Sequence, residues 1–389
     1  MSQALVNPDI LRWARERAHL AVDRLADKLL TSVDNILAWE SGEKLPTFRQ
    51  AQKVANTVHV PFGYLFLSKP PLETLPIPDL RTIGDRAFDE PSPEFRDVIS
   101  DVMRKWNWFS EYRRDQNYPT LPFIGKFKKS ESPEKIARDI SETLGIDNKL
   151  RKAANGREAF LSSMTEQAEE KGIWIMRSGI VGSNTSRPLN VEEFRGFVIS
   201  DKIAPLIFLN GKDAKAAQIF TLAHELAHLW IGESGITNLS LDLKEKEITN
   251  DIERYCNHVA AEVLVPKEAI FKGWNTKLGI GDNAEQLARR FRVSSVVIAR
   301  RALDLDLITW SIFWDYYQEQ KEQWQSITRN KESGGDPYKN LKSRNGKSFS
   351  RAVLASVYEG RLLFRDASAL LGIKTVKTLN QFAKEMKVK

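Results

Sequence analysis

Two histidines and a glutamate lie close together in one short run of the chain, Phe220-Thr-Leu-Ala-His224-Glu225-Leu-Ala-His228-Leu-Trp230. Apolar residues recur in this run at helical spacing, so it is predicted to form an amphipathic helix. Residues four apart share one face of a helix, which would let His224 and His228 bind one metal ion with Glu225 beside it. The chain has only 5 His, so a chance occurrence of this pattern on an ordinary core helix is the weaker interpretation.

A third ligand for such a metal is expected downstream, because catalytic zinc takes three protein ligands and leaves one position open. Glu253 is the candidate, and it opens a run to Pro266 that is predicted to be a second helix. Asn257 lies one turn after Glu253, where its amide could hold the ring N–H of a ligating histidine. The sole cysteine and the other histidines are interpreted as core or solvent-facing residues: Cys256, His19, His59 and His258.

The two motifs, F-T-L-A-H-E-L-A-H-L and then E-x-x-x-N-x-x-A-A-x-x-L-x-P, together resemble the ImmA/IrrE family of bacterial zinc metallopeptidases. Residues 195–200 and 205–210 resemble the paired strands that precede the zinc helix in that family. The resemblance implies that His224, His228 and Glu253 are Zn²⁺ ligands and that Glu225 is the general base. It also implies a protein substrate, often a repressor that controls mobile elements or stress genes.

The N-terminal segment is predicted to form four short helices, over residues 10–17, 21–30, 32–39 and 48–57. Within it, the pattern S-x-x-x-I-x-x-W-E-x-G-x-x-x-P from Ser32 to Pro46 resembles the XRE (Cro/CI-type) helix-turn-helix family. The resemblance implies that the third helix enters the major groove of double-stranded DNA. The candidate DNA contacts are Ser32, Val33, Asp34, Asn35, Lys44 and Arg49.

The charge distribution leaves protein docking or dimerisation open as alternatives to DNA binding for this segment. Residues 1–68 hold 8 Lys and Arg and 7 Asp and Glu, whereas a dedicated DNA-binding domain is usually basic. The predicted third helix has no Arg or Lys to bind guanine, and Asp34 would repel phosphate. The tail at 339–389 has 12 Lys and Arg against 3 Asp and Glu, and this net charge of +9 (12 − 3) exceeds the +7 of the whole chain. The basic character is therefore concentrated at the C-terminal end.

The fold class expected from these elements is mainly α with a small β-sheet (α+β). It would comprise an N-terminal helix-turn-helix bundle, a zincin-like metallopeptidase core and a small C-terminal helical module. The predicted boundaries are 1–69 for the XRE-type domain and 70–148 for a linker and helical segment. The metallopeptidase-like domain with a helical extension is predicted at 149–328, a linker at 329–347, and the basic C-terminal module at 348–389.

Composition is that of an ordinary globular protein, with 42% hydrophobic and 28% charged residues. No apolar run approaches the ~18 residues of a membrane helix, and no secretory signal pattern is visible, so a cytoplasmic protein without a membrane partner is expected. The expected function is a zinc endopeptidase fused to a DNA-binding regulator domain, and a homodimer would be compatible with it. The alternative is a transcriptional regulator or antitoxin of a toxin–antitoxin pair, whose zinc domain serves as a docking scaffold for a cognate toxin.

Overall fold

The computed structural model of the protein describes residues 2–71, 76–77, 91–237, 250–327 and 336–388. These residues form a mainly helical fold with one small sheet, which confirms the α+β class predicted from the sequence. None of the helices in these ranges is long and apolar enough to cross a lipid bilayer. The helices are α1 (Pro8–Arg17), α2 (Val22–Leu29), α3 (Val33–Ser41), α4 (Phe48–Thr57), α5 (Pro93–Asp115), α6 (Pro133–Leu144), α7 (Asn148–Ala153), α8 (Arg157–Glu170), α9 (Lys215–Ile231), α10 (Asp251–Leu264), α11 (Lys267–Gly273), α12 (Ile280–Phe291), α13 (Ser295–Asp304), α14 (Trp310–Ile327), α15 (Pro337–Asn345), α16 (Lys347–Tyr358), α17 (Phe364–Leu371) and α18 (Val376–Met386), with a 3-10 helix at Phe62–Phe66.

The chain divides into two compact units. An N-terminal unit comprises residues up to Pro76 together with the first part of α5, to Ser100, and a main unit comprises the rest of α5 and the chain that follows it. In the N-terminal unit, α1 to α4 begin and end within two residues of the predicted helices. Their apolar faces meet in a core that includes Ile10, Leu25, Ile36, Trp39 and Val54.

A buried ion pair joins α1 to α3 inside the N-terminal unit. Arg15 Nε donates to Glu40 Oε1 at 2.7 Å, and a second guanidinium nitrogen of Arg15 donates to Glu40 Oε2 at 3.0 Å. Two parallel bonds of this kind fix both position and orientation, since the planar guanidinium matches the carboxylate. Helices α1 and α3 are therefore held together by this ion pair as well as by the apolar core.

The main unit is built around a four-stranded mixed sheet in the order β1–β3–β2–β4. The strands are β1 (Trp174–Ser178), β2 (Gly196–Ile199), β3 (Leu206–Asn210) and β4 (Gly235–Thr237). β1 pairs parallel with β3, while β2 pairs antiparallel with both β3 and β4. Every residue of β2, β3 and β4 is buried, as expected for strands covered on both faces. The paired segments 195–200 and 205–210 of the sequence analysis contain β2 and β3, whereas β4 was not predicted.

Helix α9 packs against the sheet and against α10, and it carries the H-E-x-x-H motif. It ends at Gly232, which has φ +81° and donates a hydrogen bond from its N–H to the carbonyl of His228. A Cβ at Gly232 would lie 3.0 Å from the Cα of Gly125, so both the left-handed conformation and the close approach require glycine. The Trp230 ring stacks on Phe123 with ring centroids 4.6 Å apart. This contact joins the last turn of α9 to the segment between α5 and α6.

The C-terminal helices begin by packing on the outer strand of this sheet. Trp174 Nε1 in β1 donates to the carbonyl of Asn345 at 2.7 Å, and the Trp174 ring stacks on Phe349 with centroids 4.7 Å apart. Arg177 Nε donates to Ser343 Oγ at 3.1 Å. Helix α15 lies in the segment 329–347 that the sequence analysis assigned to a linker; residues 329–335 of this segment lie outside the described ranges. The helices α16, α17 and α18 are separated at Gly360 and Gly372.

Candidate metal centre

Three side chains from α9 and α10 converge in the interior of the main unit. His224 and His228 lie on one face of α9, with their Nε2 atoms 3.0 Å apart, and neither histidine has any exposed surface. Glu253, in the first turn of α10, places one carboxylate oxygen 3.2 Å from His224 Nε2 and the other 3.2 Å from His228 Nε2. The three ligand atoms lie within 4.8 Å of one another, which is close enough for them to surround one ion. The structure therefore brings together the three residues that the sequence singled out.

The tautomer of His224 is set by a hydrogen bond on the other side of its ring. Its Nδ1 lies 2.9 Å from Asn257 Oδ1, and an amide oxygen only accepts hydrogen bonds, so Nδ1 carries the proton. The lone pair of the neutral ring is then on Nε2, the atom that faces His228 and Glu253. Asn257 thus occupies the position that the sequence analysis expected for it.

This donor set fits a divalent metal ion. Two imidazole nitrogens and one carboxylate are a combination that binds catalytic zinc in proteins and leaves a fourth position open. Burial raises the pKa of the Glu253 carboxyl, but the two facing imidazoles outweigh burial and hold the pKa at about 2. The carboxylate is therefore ionised throughout the physiological range, as a metal ligand must be.

Glu225 lies beside the three candidate ligands without joining them. Its Oε1 accepts a hydrogen bond from the Thr237 hydroxyl, whereas its Oε2 has no partner among the described residues. Burial raises the pKa of the Glu225 carboxyl to about 8, although the Thr237 bond and the charge of His228 lower it. Burial therefore favours the neutral, protonated form of this carboxyl.

Two residues that shape the surroundings of Glu225 were missed in the sequence analysis. Thr237 comes from β4, a strand of three residues that is too short to show a periodic pattern. Gly196 leaves the space that Glu225 occupies, since a Cβ at this position would lie 2.9 Å from Glu225 Oε1. A glycine at the start of an apolar strand was a usable signal, because such a residue often marks a close approach. Nothing in the sequence around Thr237 indicated its contact.

The sole cysteine and the three remaining histidines lie outside the cluster. Cys256 is fully buried in the hydrophobic core, and burial raises the pKa of its thiol, which matches the interpretation of this residue as a small hydrophobe. His19 and His59 lie in the N-terminal unit, both with positive φ. His258 is not among the grouped potential ligands of the described residues.

The candidate DNA contacts in the N-terminal unit are partly engaged with one another. Ser32 caps α3 by accepting from the Asn35 N–H at 3.3 Å. The Asn35 side chain donates to Thr31 Oγ1 at 3.1 Å and accepts from Lys44 Nζ at 2.9 Å. The remaining three candidates, Val33, Asp34 and Arg49, are exposed. Base contacts by Asn35 or Lys44 would have to replace these internal bonds, and the assignment of the six residues stays a prediction.

Comparison with known families covers two parts of the chain. No curated protein matches it. Residues 345–385 match the model of a domain of unknown function, DUF8813. This region of the chain contains α16, α17 and most of α18. Residues 168–303 match the model of the IrrE N-terminal-like domain, Peptidase_M78. This second region contains all four strands, helices α9 and α10, and every side chain of the candidate metal centre. The part of the main unit that holds the buried histidines and glutamates is therefore similar to the IrrE N-terminal-like domain of a peptidase family.

Proposed function

We propose that the protein is a zinc-dependent endopeptidase joined to a DNA-binding regulator unit, and that it cleaves a repressor or another regulatory protein in a mobile-element or stress response. The observation that carries the proposal is the buried set of His224, His228 and Glu253 with Glu225 beside it. The match of the surrounding residues 168–303 to a peptidase family supports it. His224, His228 and Glu253 would hold the zinc.

Zinc bound here would supply a Lewis acid that polarises a peptide carbonyl and lowers the pKa of water toward ~7. Glu225 would accept the proton of the attacking water and later deliver it to the leaving nitrogen. Its Oε2 is the free oxygen for this task, because Oε1 accepts the Thr237 hydroxyl. Asn257 would hold the His224 ring in orientation, since it accepts from Nδ1.

The peptidase proposal is tested with the full-length protein loaded with zinc and incubated with denatured proteins and peptide libraries. We expect new N-termini by mass spectrometry, loss of cleavage after chelation, and recovery when zinc is restored. Absence of new N-termini with the zinc-loaded protein would contradict the proposal. A repressor gene beside the coding gene would support the substrate class, whereas a small nuclease gene would favour the alternative below.

The alternative is a transcriptional regulator or an antitoxin whose zinc domain docks a cognate toxin. One observation favours it: His224, Glu225 and His228 have no exposed surface, and Glu253 is 7% exposed. A substrate would need a local rearrangement to reach them, whereas a purely structural metal would not. This alternative keeps the same ligands but gives Glu225 no catalytic role.

The N-terminal unit is proposed to bind double-stranded DNA through α3, most effectively in a homodimer. Because its Lys and Arg nearly balance its Asp and Glu, we expect modest affinity with a shallow salt dependence. Deletion of residues 1–68 should abolish operator binding in a gel-shift assay, while charge reversal of the basic residues at 374 and 377 should leave it unchanged. Retention of operator binding after the deletion would assign DNA contact to the C-terminal region instead.

A further inference from the structure

A cavity of about 560 Å³ borders α9, the helix of the candidate metal centre, and its lining extends to Thr221, one turn before Glu225. Its walls come from the first turn of α9, the first turn of α13, the middle of α14 and the start of α8. Thr221, which follows the first turn of α9 and precedes the histidines, forms part of the wall. The cavity therefore opens along α9 and belongs entirely to the main unit.

Thr221 connects the cavity with the metal centre, because it lines the cavity and shares a contact at β2 with Glu225. Thr221 is one turn before Glu225, about 6 Å along the axis of α9. The two side chains face the same point of β2, because a Cβ on Gly196 would lie 2.7 Å from the Thr221 methyl carbon and 2.9 Å from Glu225 Oε1. An extended peptide carries a side chain on the same face about every 7 Å. Thr221 and the metal-centre residues are buried, so a side chain about two positions from the scissile bond would lie at the cavity after the local rearrangement that substrate access requires.

The charged side chains of the cavity are mostly cations. Four of them line it, Arg157, Arg195, Lys215 and Lys321, against a single carboxylate, Asp213. Asp213 is bound to Arg195 at 2.7 Å, so it neutralises only one of the four. Lys215 lies 3.4 Å from Glu158, but both side chains are substantially exposed, at 35% and 67%, and an exposed pair of this kind contributes little. Lys321 forms no ion pair within the described residues.

Backbone and apolar groups complete the lining. Helices α9 and α13 both begin at the cavity, so the partial positive charges of two amino ends add to the cationic side chains. Ala214, the N-cap of α9, has no side chain that could accept from the first N–H groups. Phe220, Val297 and Tyr317 supply an apolar wall that suits the methylene groups of a glutamate better than a fully hydrated ion.

We propose that this cavity is a substrate subsite that binds a carboxylate of the peptide about two residues from the scissile bond. The protein would therefore prefer substrates that are acidic at this position. The proposal rests on the proposed peptidase function and adds the substrate class to it. The carboxylate has two possible sources, an acidic side chain inside a longer chain or the C-terminal carboxylate of a short peptide.

The test compares matched peptides with the zinc-loaded full-length protein. Peptides that differ only by Glu or Gln at one position should differ in kcat/KM about tenfold in favour of Glu, as expected for one charge-assisted contact at a partly exposed site. The double variant Lys215→Glu/Lys321→Glu should reverse this preference toward Lys. Lys215→Gln/Lys321→Gln should weaken the preference, because Arg157 remains, while causing less local repulsion. Lys374→Glu/Lys377→Glu changes the net charge equally, far along the sequence from the cavity lining, and should leave the preference intact.

A second arm identifies the source of the carboxylate. If amidation of the C terminus lowers kcat/KM and Glu→Gln replacement does not, the terminal carboxylate occupies the cavity; if only Glu→Gln replacement lowers kcat/KM, a side chain does. Peptide binding to the same variants, measured by fluorescence anisotropy, separates the two proposals. Binding that depends on Lys215 and Lys321 without cleavage would contradict the peptidase function and keep the subsite. Cleavage that ignores both carboxylates, or a preference that the control variant also reverses, would overturn the subsite.

Discussion

Replacement of Glu225 by Gln should abolish nearly all peptidase activity while the protein keeps its fold and its metal. Glutamine fills the same buried volume and can still accept from the Thr237 hydroxyl, but it cannot take up a proton from water. General acid–base catalysis alone is worth about 10²–10⁴ in rate, so kcat/KM should fall at least by this factor. The measurement is kcat/KM on a cleaved peptide, with zinc content determined on the same sample.

Two further variants show whether the loss comes from proton transfer. Glu233→Gln changes an exposed carboxyl just beyond the end of α9 and should leave activity unchanged. His224→Ala should lose both zinc and activity. In cells, equal loss of function in Glu225→Gln and His224→Ala supports proteolysis. If only His224→Ala loses function, the metal is needed for structure or docking and the antitoxin-type alternative is the better account.

Replacement of Glu253 by Ala should deplete the metal. We expect purified wild-type protein to contain close to one zinc per chain, because the three ligand atoms converge on one point. Even residues that only orient a ligand are typically worth about 10–100-fold in metal affinity, so removal of a ligand should cost more than this. The measurement is zinc per chain by elemental analysis, together with competition against a chromophoric chelator.

Asp251→Ala is the matched control, since Asp251 is an exposed carboxylate in the same first turn of α10. It should retain the wild-type zinc content. Thermal unfolding with and without chelator gives an independent readout, because a metal that binds only the folded state stabilises it. Chelation should lower the midpoint of the wild type and of Asp251→Ala but not that of Glu253→Ala. Full zinc occupancy in Glu253→Ala would show that the third ligand lies elsewhere.

Local patterns predicted most of the helices because a helix places its apolar residues at a period that is visible in a short window. Helices α1 to α4, α9 and α10 were located in this way. Strand β4 was missed because its three residues are ordered by pairing with β2, a partner distant in sequence. Helix α15 lies in a polar segment whose composition predicts a linker. Its contacts with Trp174 and Arg177 in β1 hold it against the sheet, and these residues are distant in sequence.

The sequence by itself determined the identity and spacing of the metal-centre residues. His224, Glu225 and His228 share one helical turn, so helical geometry predicts that they can act together. Glu253 and Asn257 were named because zinc needs a third ligand and because their motif resembles the ImmA/IrrE family. Only the tertiary structure decided their surroundings: β2 and β4 bring Gly196 and Thr237 to Glu225, and burial sets its proton affinity. The cationic cavity likewise joins residues from four helices that no local pattern connects. The physical reason is that side-chain spacing is a property of a single helix, whereas burial and electrostatic potential depend on everything packed around it.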